Sequence, residues 1–369
     1  MATEKRKKRE AKVKVKAKTK VTIVTGFLGS GKTTFIKHVI KGIRGTSGQG
    51  RSHKDKVKIA AIVNDFAEFN VDAELVGALH AEPGHSSGRR KGSAPLELSN
   101  GCVCCTIKDD FIVGVLDVIE SQKPELILLE TSGVSDPYNI TAALRQSREL
   151  SELCQLDAVI TLVDASNFQE MYVKSLAMQN QIRAADVFLL NKVDLATEDQ
   201  VEQVRGMVEK MHAGCRVLKC VRAAVPIPLV IDVDTSSPSV SVEREGNSVF
   251  QLPGFHLELD ALGSMTFKST SPFCLRKFQH FLLSLARNSG VVRAKGFVSF
   301  SLMPSRRYEL HLVGDRYEVC EVVDDVYGVE ESVAIVLIGT GIKSSELRQR
   351  LQGCVDHYHE ESDAASASK

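Results

Sequence analysis

The spacing of apolar positions predicts strands alternating with helices over the first 200 or so residues. Short runs of β-branched and aliphatic residues, typical of buried strands, lie at 21–25, 59–63, 126–129, 159–163 and 187–190. Helical spacing begins at Lys32 and returns at 107–121, 138–150, 168–182 and 197–212. This alternation is typical of βαβ units. We therefore predict an α/β fold, a mostly parallel sheet covered by helices, over 21–232.

The pattern changes after Asp232, and a second domain is expected. Residues 233–248 contain Ser, Pro and Gly and are interpreted as a linker. Residues 249–354 predict a strand, a helix at 273–287, four short strands and a last helix at 343–352, which together make an α+β domain. Three polar stretches are interpreted as exposed segments: insertions at 42–55 and 80–95, and a tail at 355–369.

Charge is unevenly distributed along the 369 residues. The net charge is +1, but residues 1–20 carry ten Lys or Arg and two Glu, and we interpret them as a disordered basic tail. Basic tails bind polyanions, but this one has no aromatic residue for base stacking, so a solubilising arm or localisation signal is favoured over nucleic-acid binding. No apolar run approaches the ~18 residues of a membrane helix, and no secretory signal is apparent. We expect a cytoplasmic protein, with a nuclear location as the alternative that the tail raises.

The segment Gly26–Thr33 matches the pattern of a phosphate-binding P-loop. A predicted strand precedes it and a predicted helix follows it, which is the required context. The glycines let backbone N–H groups surround phosphate oxygens, Lys32 is expected to reach the β- and γ-phosphates, and Thr33 is expected to bind Mg²⁺. The predicted nucleotide-binding residues here are Gly26, Gly29, Ser30, Gly31, Lys32, Thr33 and Thr34.

The predicted strand 187–190 is followed by Asn191, Lys192 and Asp194, which predict the base of the bound nucleotide. The carboxylate of Asp194 can accept two hydrogen bonds from guanine, at N1–H and the 2-amino group. Adenine offers no such pair and would leave a charge unsatisfied. The sequence therefore predicts a guanine nucleotide.

A third polar segment follows the predicted strand 126–129. Glu130 is expected near Mg²⁺ or the attacking water, and the Gly133 amide is expected to sense the γ-phosphate. The alternative is a strand-end carboxylate in a surface turn.

Three of the nine cysteines lie within four positions, at Cys102, Cys104 and Cys105. Three thiolates suit Zn²⁺ or Cu(I), and a site with one open position suits a metal that is passed on. Three alternatives stay open: buried apolar cysteines, a redox pair of Cys102 with Cys105, and a structural zinc site with a fourth ligand. The remaining cysteines are expected to be core or incidental residues: Cys154, Cys215, Cys220, Cys274, Cys320 and Cys354.

Together these motifs resemble the CobW-type GTPases, a family of metallochaperones that includes zinc-regulated GTPase metalloprotein activators. The resemblance covers roughly residues 21–354. It rests on these stretches: GFLGSGKTT (26–34), VNDFAEFNVD (63–72), ELSNGCVCC (97–105), LLETSGVSDP (128–137), QIRAADVFLLNKVDL (181–195), and short matches at 271–273, 292–297 and 336–339.

The resemblance implies a P-loop GTPase with a CobW C-terminal-like domain. It would hydrolyse GTP with Mg²⁺, hold a metal, zinc in the first instance, at the Cys-x-Cys-Cys loop, and transfer it to a client metalloprotein. The implied catalytic residues are Lys32, Thr33, Glu130 and Gly133. Two alternatives remain: a GTP-regulated binding or scaffold protein with a structural metal, and a nickel- or cobalt-insertion GTPase. Homo-oligomerisation is also left open.

The chain departs from the family pattern in its first switch segment. The family's usual Asn-Glu-Phe-Gly-Glu is Asn-Asp-Phe-Ala-Glu here, over 64–68. Asp65 and Glu68 are the implied acidic residues at Mg²⁺ or the transferred metal, and Asp65 has a shorter reach than the usual glutamate. In the second domain, Arg293 and Lys295 either contact a client protein or pair with nearby acidic residues, and the sequence leaves both possibilities open.

Overall fold

The computed structural model describes residues 18–46, 57–63, 96–97, 106–169, 172, 175–213, 215–232, 262–322 and 332–356. The first domain is built on a seven-stranded sheet of order β3-β2-β4-β1-β5-β6-β7, in which every pair of neighbouring strands is parallel. Its strands are β1 (Thr19–Gly26), β2 (Ile59–Val63), β3 (Leu96–Glu97), β4 (Leu126–Glu130), β5 (Cys154–Asp164), β6 (Val187–Asn191) and β7 (Arg216–Lys219). The predicted α/β fold with a parallel sheet is confirmed.

Helices connect these strands. They are α1 (Lys32–Thr46), α2 (Thr106–Gln122), α3 (Pro137–Gln146), α4 (Arg148–Leu153), α5 (Leu176–Arg183), α6 (Glu198–Met211) and the single turn α7 (Ile227–Val230). Apolar clusters cover both faces of the sheet: Phe35, Ile36 and Val39 of α1 are fully buried on one side, and Val115 of α2 on the other.

Four predicted boundaries differ from the structure. Strand β1 begins at Thr19, inside the segment interpreted as the tail. The predicted helix 138–150 is two helices, because Ser147 adopts an extended conformation and its hydroxyl accepts a hydrogen bond from Leu150 N, which caps α4. Within the helix predicted over 168–182, Phe168, Gln169 and Tyr172 are helical, but α5 is a separate helix that begins after Ser175, whose side chain caps it.

The fourth difference lies in the predicted insertion 42–55. Helix α1 continues through Gly42 to Thr46, so the first five residues of that stretch are helical. A Cβ at Gly42 would lie 2.1 Å from Ile227 Cδ1. Glycine therefore lets α1 approach α7 closely here and does not mark a loop.

The second domain is a five-stranded antiparallel sheet of order β11-β10-β9-β12-β8. Its elements are β8 (Leu262–Ser269), α8 (Leu275–Asn288), β9 (Val291–Phe300), β10 (Met303–Val313), β11 (Arg316–Val322), β12 (Val333–Thr340) and α9 (Ser344–Gln352). The predicted order of elements is confirmed, although the four strands after α8 are 7 to 11 residues long and not short. Phe267, Phe273 and Phe278 fill the core of this domain.

The two domains share apolar packing. Val292 and Val313 of the second domain are buried in the same cluster as Phe35 of α1. At the turn between β10 and β11, Gly314 has φ +62°, and a Cβ there would lie 2.0 Å from the carbonyl oxygen of Asp186. The turn therefore presses its backbone directly against the first domain. No helix in the described segments is long and apolar enough to cross a membrane.

A buried ionic cluster lies at the interface around Asp157. Its carboxylate forms an ion pair with Arg293, lies 3.3 Å from His311 Nε2 and accepts a hydrogen bond from Thr22 Oγ1 at 2.9 Å. Burial by itself would raise the pKa of Asp157, but Arg293, His311 and Thr22 outweigh it and hold the pKa below its ordinary value. Asp157 thus joins strand β1 to the second domain.

Further ion pairs extend this interface. Asp232 pairs with Lys20 and, at 2.9 Å, with Lys295. Arg316 forms a forked contact with Asp186 at 2.9 and 3.0 Å. The sequence left two interpretations of Arg293 and Lys295 open, a client contact or pairing with nearby acids. The structure supports the pairing.

Candidate nucleotide-binding site

The P-loop lies between the end of β1 and the start of α1, at the edge of the sheet where the strands end. At two positions of the loop there is no room for a side chain, so glycine is required. A Cβ at Gly26 (φ +136°) would lie 2.2 Å from Leu162 O, and one at Gly31 (φ +107°) would lie 2.5 Å from Asn191 Nδ2. The backbone of this loop can follow the path only without side chains, which is how a phosphate cradle keeps its N–H groups accessible.

The residues that begin α1 present a lysine and a hydroxyl at this loop. Lys32 is 8% exposed, and its Nζ donates to Phe27 O at 3.3 Å, so its side chain folds back over the loop. The hydroxyl of Thr33 donates to the carboxylate of Glu130, with Oε1 at 2.9 Å and Oε2 at 3.1 Å. Thr34 is exposed, and the Ser30 hydroxyl is buried without a hydrogen-bond partner.

Glu130 and Thr33 form the donor set that Mg²⁺ prefers, a carboxylate beside a hydroxyl oxygen. They are 97 residues apart in sequence but meet because β4 and β1 are neighbouring parallel strands, with Val24 opposite Glu130. The residues present therefore fit a magnesium ion held between the P-loop and the end of β4. The alternative reading of Glu130 as a surface-turn carboxylate is wrong, since the residue is 6% exposed.

Gly133 lies against the P-loop. A Cβ there would be 2.7 Å from the backbone nitrogen and from the side chain of Leu28. Any larger residue would separate the loop after β4 from the P-loop. The Gly133 backbone therefore lies close to the loop that is expected to hold phosphate.

The base-binding motif follows β6. Asn191 is 2% exposed, and its side chain donates to Ser30 O at 2.8 Å, which ties the motif to the P-loop. Lys192 has φ +61° and its Nζ lies 2.7 Å from Asp164 Oδ2. Asp194 lies in a short 3₁₀ turn with its side chain exposed, so its carboxylate is accessible to a ligand.

Sequence reasoning missed the loop after β7. Ala223 N donates to Asn191 Oδ1 at 2.8 Å, and the Cys220 thiol lies 3.6 Å from the same oxygen. Arg222 and Ala223 both have positive φ, at +51° and +56°, although neither is glycine. No residue type here signals a turn. A loop that contacts Asn191 through a backbone N–H leaves little trace in sequence, because almost every residue type has that donor.

Part of the predicted site lies outside the described residues: Asp65, Glu68, Cys102, Cys104 and Cys105. The strands that flank these residues are described, and their ends are aligned. Glu97 is opposite Val63, and Val63 is in turn opposite Glu130. Neighbouring strands are ~4.8 Å apart, so the Cα atoms of Glu97 and Glu130 are about 10 Å apart. The segment with the three cysteines therefore starts at the same edge of the sheet.

The remaining cysteines are mostly core residues, as predicted. Cys154, Cys215, Cys220 and Cys354 are buried, Cys274 is half-buried, and Cys320 is exposed. Burial raises the pKa of Cys154 and Cys354 to about 11 and that of Cys215 and Cys220 to about 12. Such thiols stay protonated near neutral pH and are poor metal ligands.

One further group has metal-ligand chemistry. Ligand atoms of Asp157, Asp232 and His311 lie within 4.8 Å of one another. Lys20, Arg293 and Lys295 already pair with the two carboxylates, so a metal cation would have to displace them. We therefore assign this group to the domain interface.

The fold and this edge of the sheet define a P-loop nucleotide-binding protein. Residues 20–219 match the family described as CobW/HypB/UreG, nucleotide-binding domain, and residues 262–355 match the cobalamin synthesis protein CobW C-terminal domain. The chain belongs to the CobW family. These matches confirm the resemblance inferred from the motifs and the predicted class, a P-loop nucleotide-binding protein of the CobW family.

Several named proteins are similar to the chain. A "Zinc-regulated GTPase metalloprotein activator 1" of Dictyostelium discoideum is 28% identical over 75% of this chain and 62% of the relative. A "Zinc chaperone CobW" of Pseudomonas aeruginosa is 29% identical over 59% of this chain and 60% of the relative. Zinc-bound YjiA GTPase from E. coli is 24% identical, with a TM-score of 0.41, over 92% of this chain and 99% of that structure. The chain thus spans less than two thirds of the first two relatives.

Proposed function

We propose that this chain is a GTP-hydrolysing metallochaperone that binds zinc at Cys102, Cys104 and Cys105 and delivers it to a client metalloprotein. The observation that carries the proposal is the alignment of strand ends. The P-loop, Glu130, Val63 and Glu97 follow one another along one edge of the sheet. The names of the relatives, which include zinc chaperones, support zinc as the metal.

The nucleotide chemistry assigns a role to each residue. Lys32 would neutralise charge on the β- and γ-phosphates, and Thr33 with Glu130 would hold Mg²⁺. Asp194 would select guanine by accepting two hydrogen bonds. The positive end of helix α1 and the loop N–H groups would bind the phosphates.

Coupling would arise because the segments next to γ-phosphate also lead to the thiols. Asp65 and Glu68 come soon after β2 and the three cysteines come after β3, so the first segment starts beside Glu130 and the second about 10 Å from it. Ordering of such segments around a γ-phosphate is a known switching mechanism. A coupling of about 5- to 150-fold in metal affinity would suffice to separate loading from release.

The test is a zinc titration of the full chain in the presence of a non-hydrolysable GTP analogue or of GDP. We expect zinc affinity to differ between the two states, and the ratio of the affinities for the analogue and for GDP to change by the same factor when zinc is added. Equal zinc affinities in both states would overturn the coupling.

The metal site is tested by replacing Cys102, Cys104 and Cys105 together by serine. Tight zinc binding should be lost while GDP binding is kept. Cys320→Ser is the matched control, because that cysteine is exposed and lies in the second domain. Zinc binding that survived the triple change would place the site elsewhere. Parallel titrations with nickel and cobalt decide between the metals.

A further inference from the structure

Gln181 is a fully buried amide that contacts the loop after β4. Its Nε2 donates two hydrogen bonds, to Gly133 O at 3.1 Å and to Ser135 O at 3.2 Å. The backbone of Gln181 is itself fixed, because its carbonyl oxygen accepts a hydrogen bond from Thr161 Oγ1 of β5 at 2.9 Å. The amide therefore connects the central sheet to both sides of the turn at Val134.

The preceding residue of helix α5 contacts the other end of the same loop. Asn180 Nδ2 donates to Asp136 Oδ2 at 2.9 Å. The second oxygen of Asp136 accepts from Tyr138 N and caps helix α3. Two consecutive residues of α5 thus hold the stretch 133–136 from below, while Val134 on its outer side is 52% exposed.

This stretch determines where the Gly133 N–H lies. Gly133 is packed against Leu28 of the P-loop, and Glu130, three residues earlier, is bonded to Thr33. The P-loop makes both of those contacts. The position of the Gly133 N–H along the loop therefore depends on the hydrogen bonds that the carbonyl oxygens of Gly133 and Ser135 accept.

The amide of Gln181 is only partly satisfied. Its Oε1 is buried and has no hydrogen-bond partner. An unpaired buried acceptor carries a free-energy cost comparable with the gain from the two bonds that the N–H groups make. Gln181 therefore adds little net stability to the fold, and its contacts to the loop call for another explanation.

We propose that Gln181 is a positioning residue for GTP hydrolysis. Its amide fixes residues 133–135 so that the Gly133 N–H faces the γ-phosphate. The proposal rests on the function proposed above. The N–H groups of the amide are what this role needs, because a glutamate would set two acceptors against two carbonyl oxygens and a methionine would offer no donor.

The test compares full-length Gln181→Met with the wild type. We expect kcat for GTP hydrolysis to fall about 10- to 100-fold, as expected for lost transition-state contacts, with a smaller rise in KM because the contact to the γ-phosphate is also weakened in the bound ground state. The ratio of affinities for a non-hydrolysable GTP analogue and for GDP should fall as well, while GDP affinity stays within about threefold. Gln181→Glu should be more severe, and Gln179→Met on the same helix is the matched control.

Wild-type kcat and a wild-type affinity ratio in Gln181→Met would overturn the proposal. So would an equal loss of affinity for both nucleotides, because that is the result of a purely structural role. If Gln181→Met does not fold, Gln181→Asn, which keeps the amide on a shorter side chain, gives the same readouts. A wild-type chain without GTP hydrolysis would overturn the proposed function instead, and the affinity ratio would still test Gln181.

Discussion

Two polar regions of the same parallel sheet differ in how their charges are paired. They are the nucleotide edge, where the P-loop, Glu130 and Asp194 lie, and the domain interface around Asp157. At the interface, Asp157 is 1% exposed and its carboxylate already has cationic and hydrogen-bonding partners within the protein, although Arg293 Nη1 and His311 Nδ1 are buried without a hydrogen-bond partner. At the nucleotide edge, glycines replace side chains, Asp194 is exposed, and the Ser30 hydroxyl is buried without a partner. At the interface the buried carboxylate is neutralised from within the protein, whereas the edge leaves the groups that we propose for nucleotide binding accessible.

This contrast predicts that the same kind of substitution affects stability at the interface and binding at the edge. The largest effect is expected from Asp157→Ala, which leaves the Arg293 guanidinium buried without its partner. Removing one member of a buried ion pair costs about 3–5 kcal/mol of unfolding free energy. Denaturant titration measures it, and Asp199→Ala, at an exposed helix start, should cost less than about 1 kcal/mol.

The double change Asp157→Ala with Arg293→Met sharpens this test. Removing both charges should recover part of the lost stability, because no uncompensated charge is left. A single variant as stable as the wild type would show that the cluster does not hold the domains together.

At the nucleotide edge, Lys32→Ala should leave stability nearly unchanged but lower kcat for GTP hydrolysis about 10²- to 10³-fold, the usual cost of losing one charge-stabilising donor. Steady-state kinetics measures the rate, and denaturant titration checks the fold. Lys41→Ala, an exposed lysine of the same helix, is the control. Wild-type turnover in Lys32→Ala would remove the P-loop from the mechanism.

A smaller effect is expected from pH at the rim of the interface. The hydrogen bond to Asp315 raises the pKa of His212 above its ordinary value. A raised histidine pKa adds stability that is complete below about pH 6.5 and is lost as the pH rises through the higher folded-state pKa. Asp157 behaves oppositely: its lowered pKa adds stability above about pH 3.9 that is lost only as the pH falls through the folded-state pKa.

Unfolding free energies at pH 6 and pH 8 test the histidine. We expect a loss of at most about 1 kcal/mol toward pH 8 from this group, since Asp315 is 36% exposed and solvent screens the pair. His212→Asn should flatten that slope, and the exposed His280→Asn should not. An unchanged slope in His212→Asn would assign the pH dependence to other groups.

The smallest effect is expected where neither kind of region is involved. Lys219 and Glu202 form a 2.6 Å pair on the surface, with side chains 41% and 50% exposed. Lys219→Ala should cost about 0.2–0.5 kcal/mol, and high salt should abolish the difference. A loss as large as that of Asp157→Ala would mean that burial does not explain the contrast between the regions.

The sequence predicted the two regions unequally, for physical reasons. The P-loop is readable because its glycines, Lys32 and Thr33 are contiguous and each has its own chemistry. The contacts of Gln181 and Ala223 were not predicted, since each joins a side chain or an N–H to backbone atoms far away in the chain. The pairing of Asp157 with Arg293, 136 residues apart, depends on how two domains meet. Helix ends were misplaced where caps such as Ser147 and Ser175 decide them.

Gly314 has a consequence for how such chains can change over evolutionary time. Its backbone touches Asp186 so closely that the hairpin carrying it could not be exchanged for one bearing a side chain at that point. An unrelated second domain fused after Asp232 would also need a cation placed for Asp157 and apolar residues to replace Val292 and Val313. The two domains therefore constrain each other's sequence, and domain shuffling at this junction should be rare among proteins that keep Asp157.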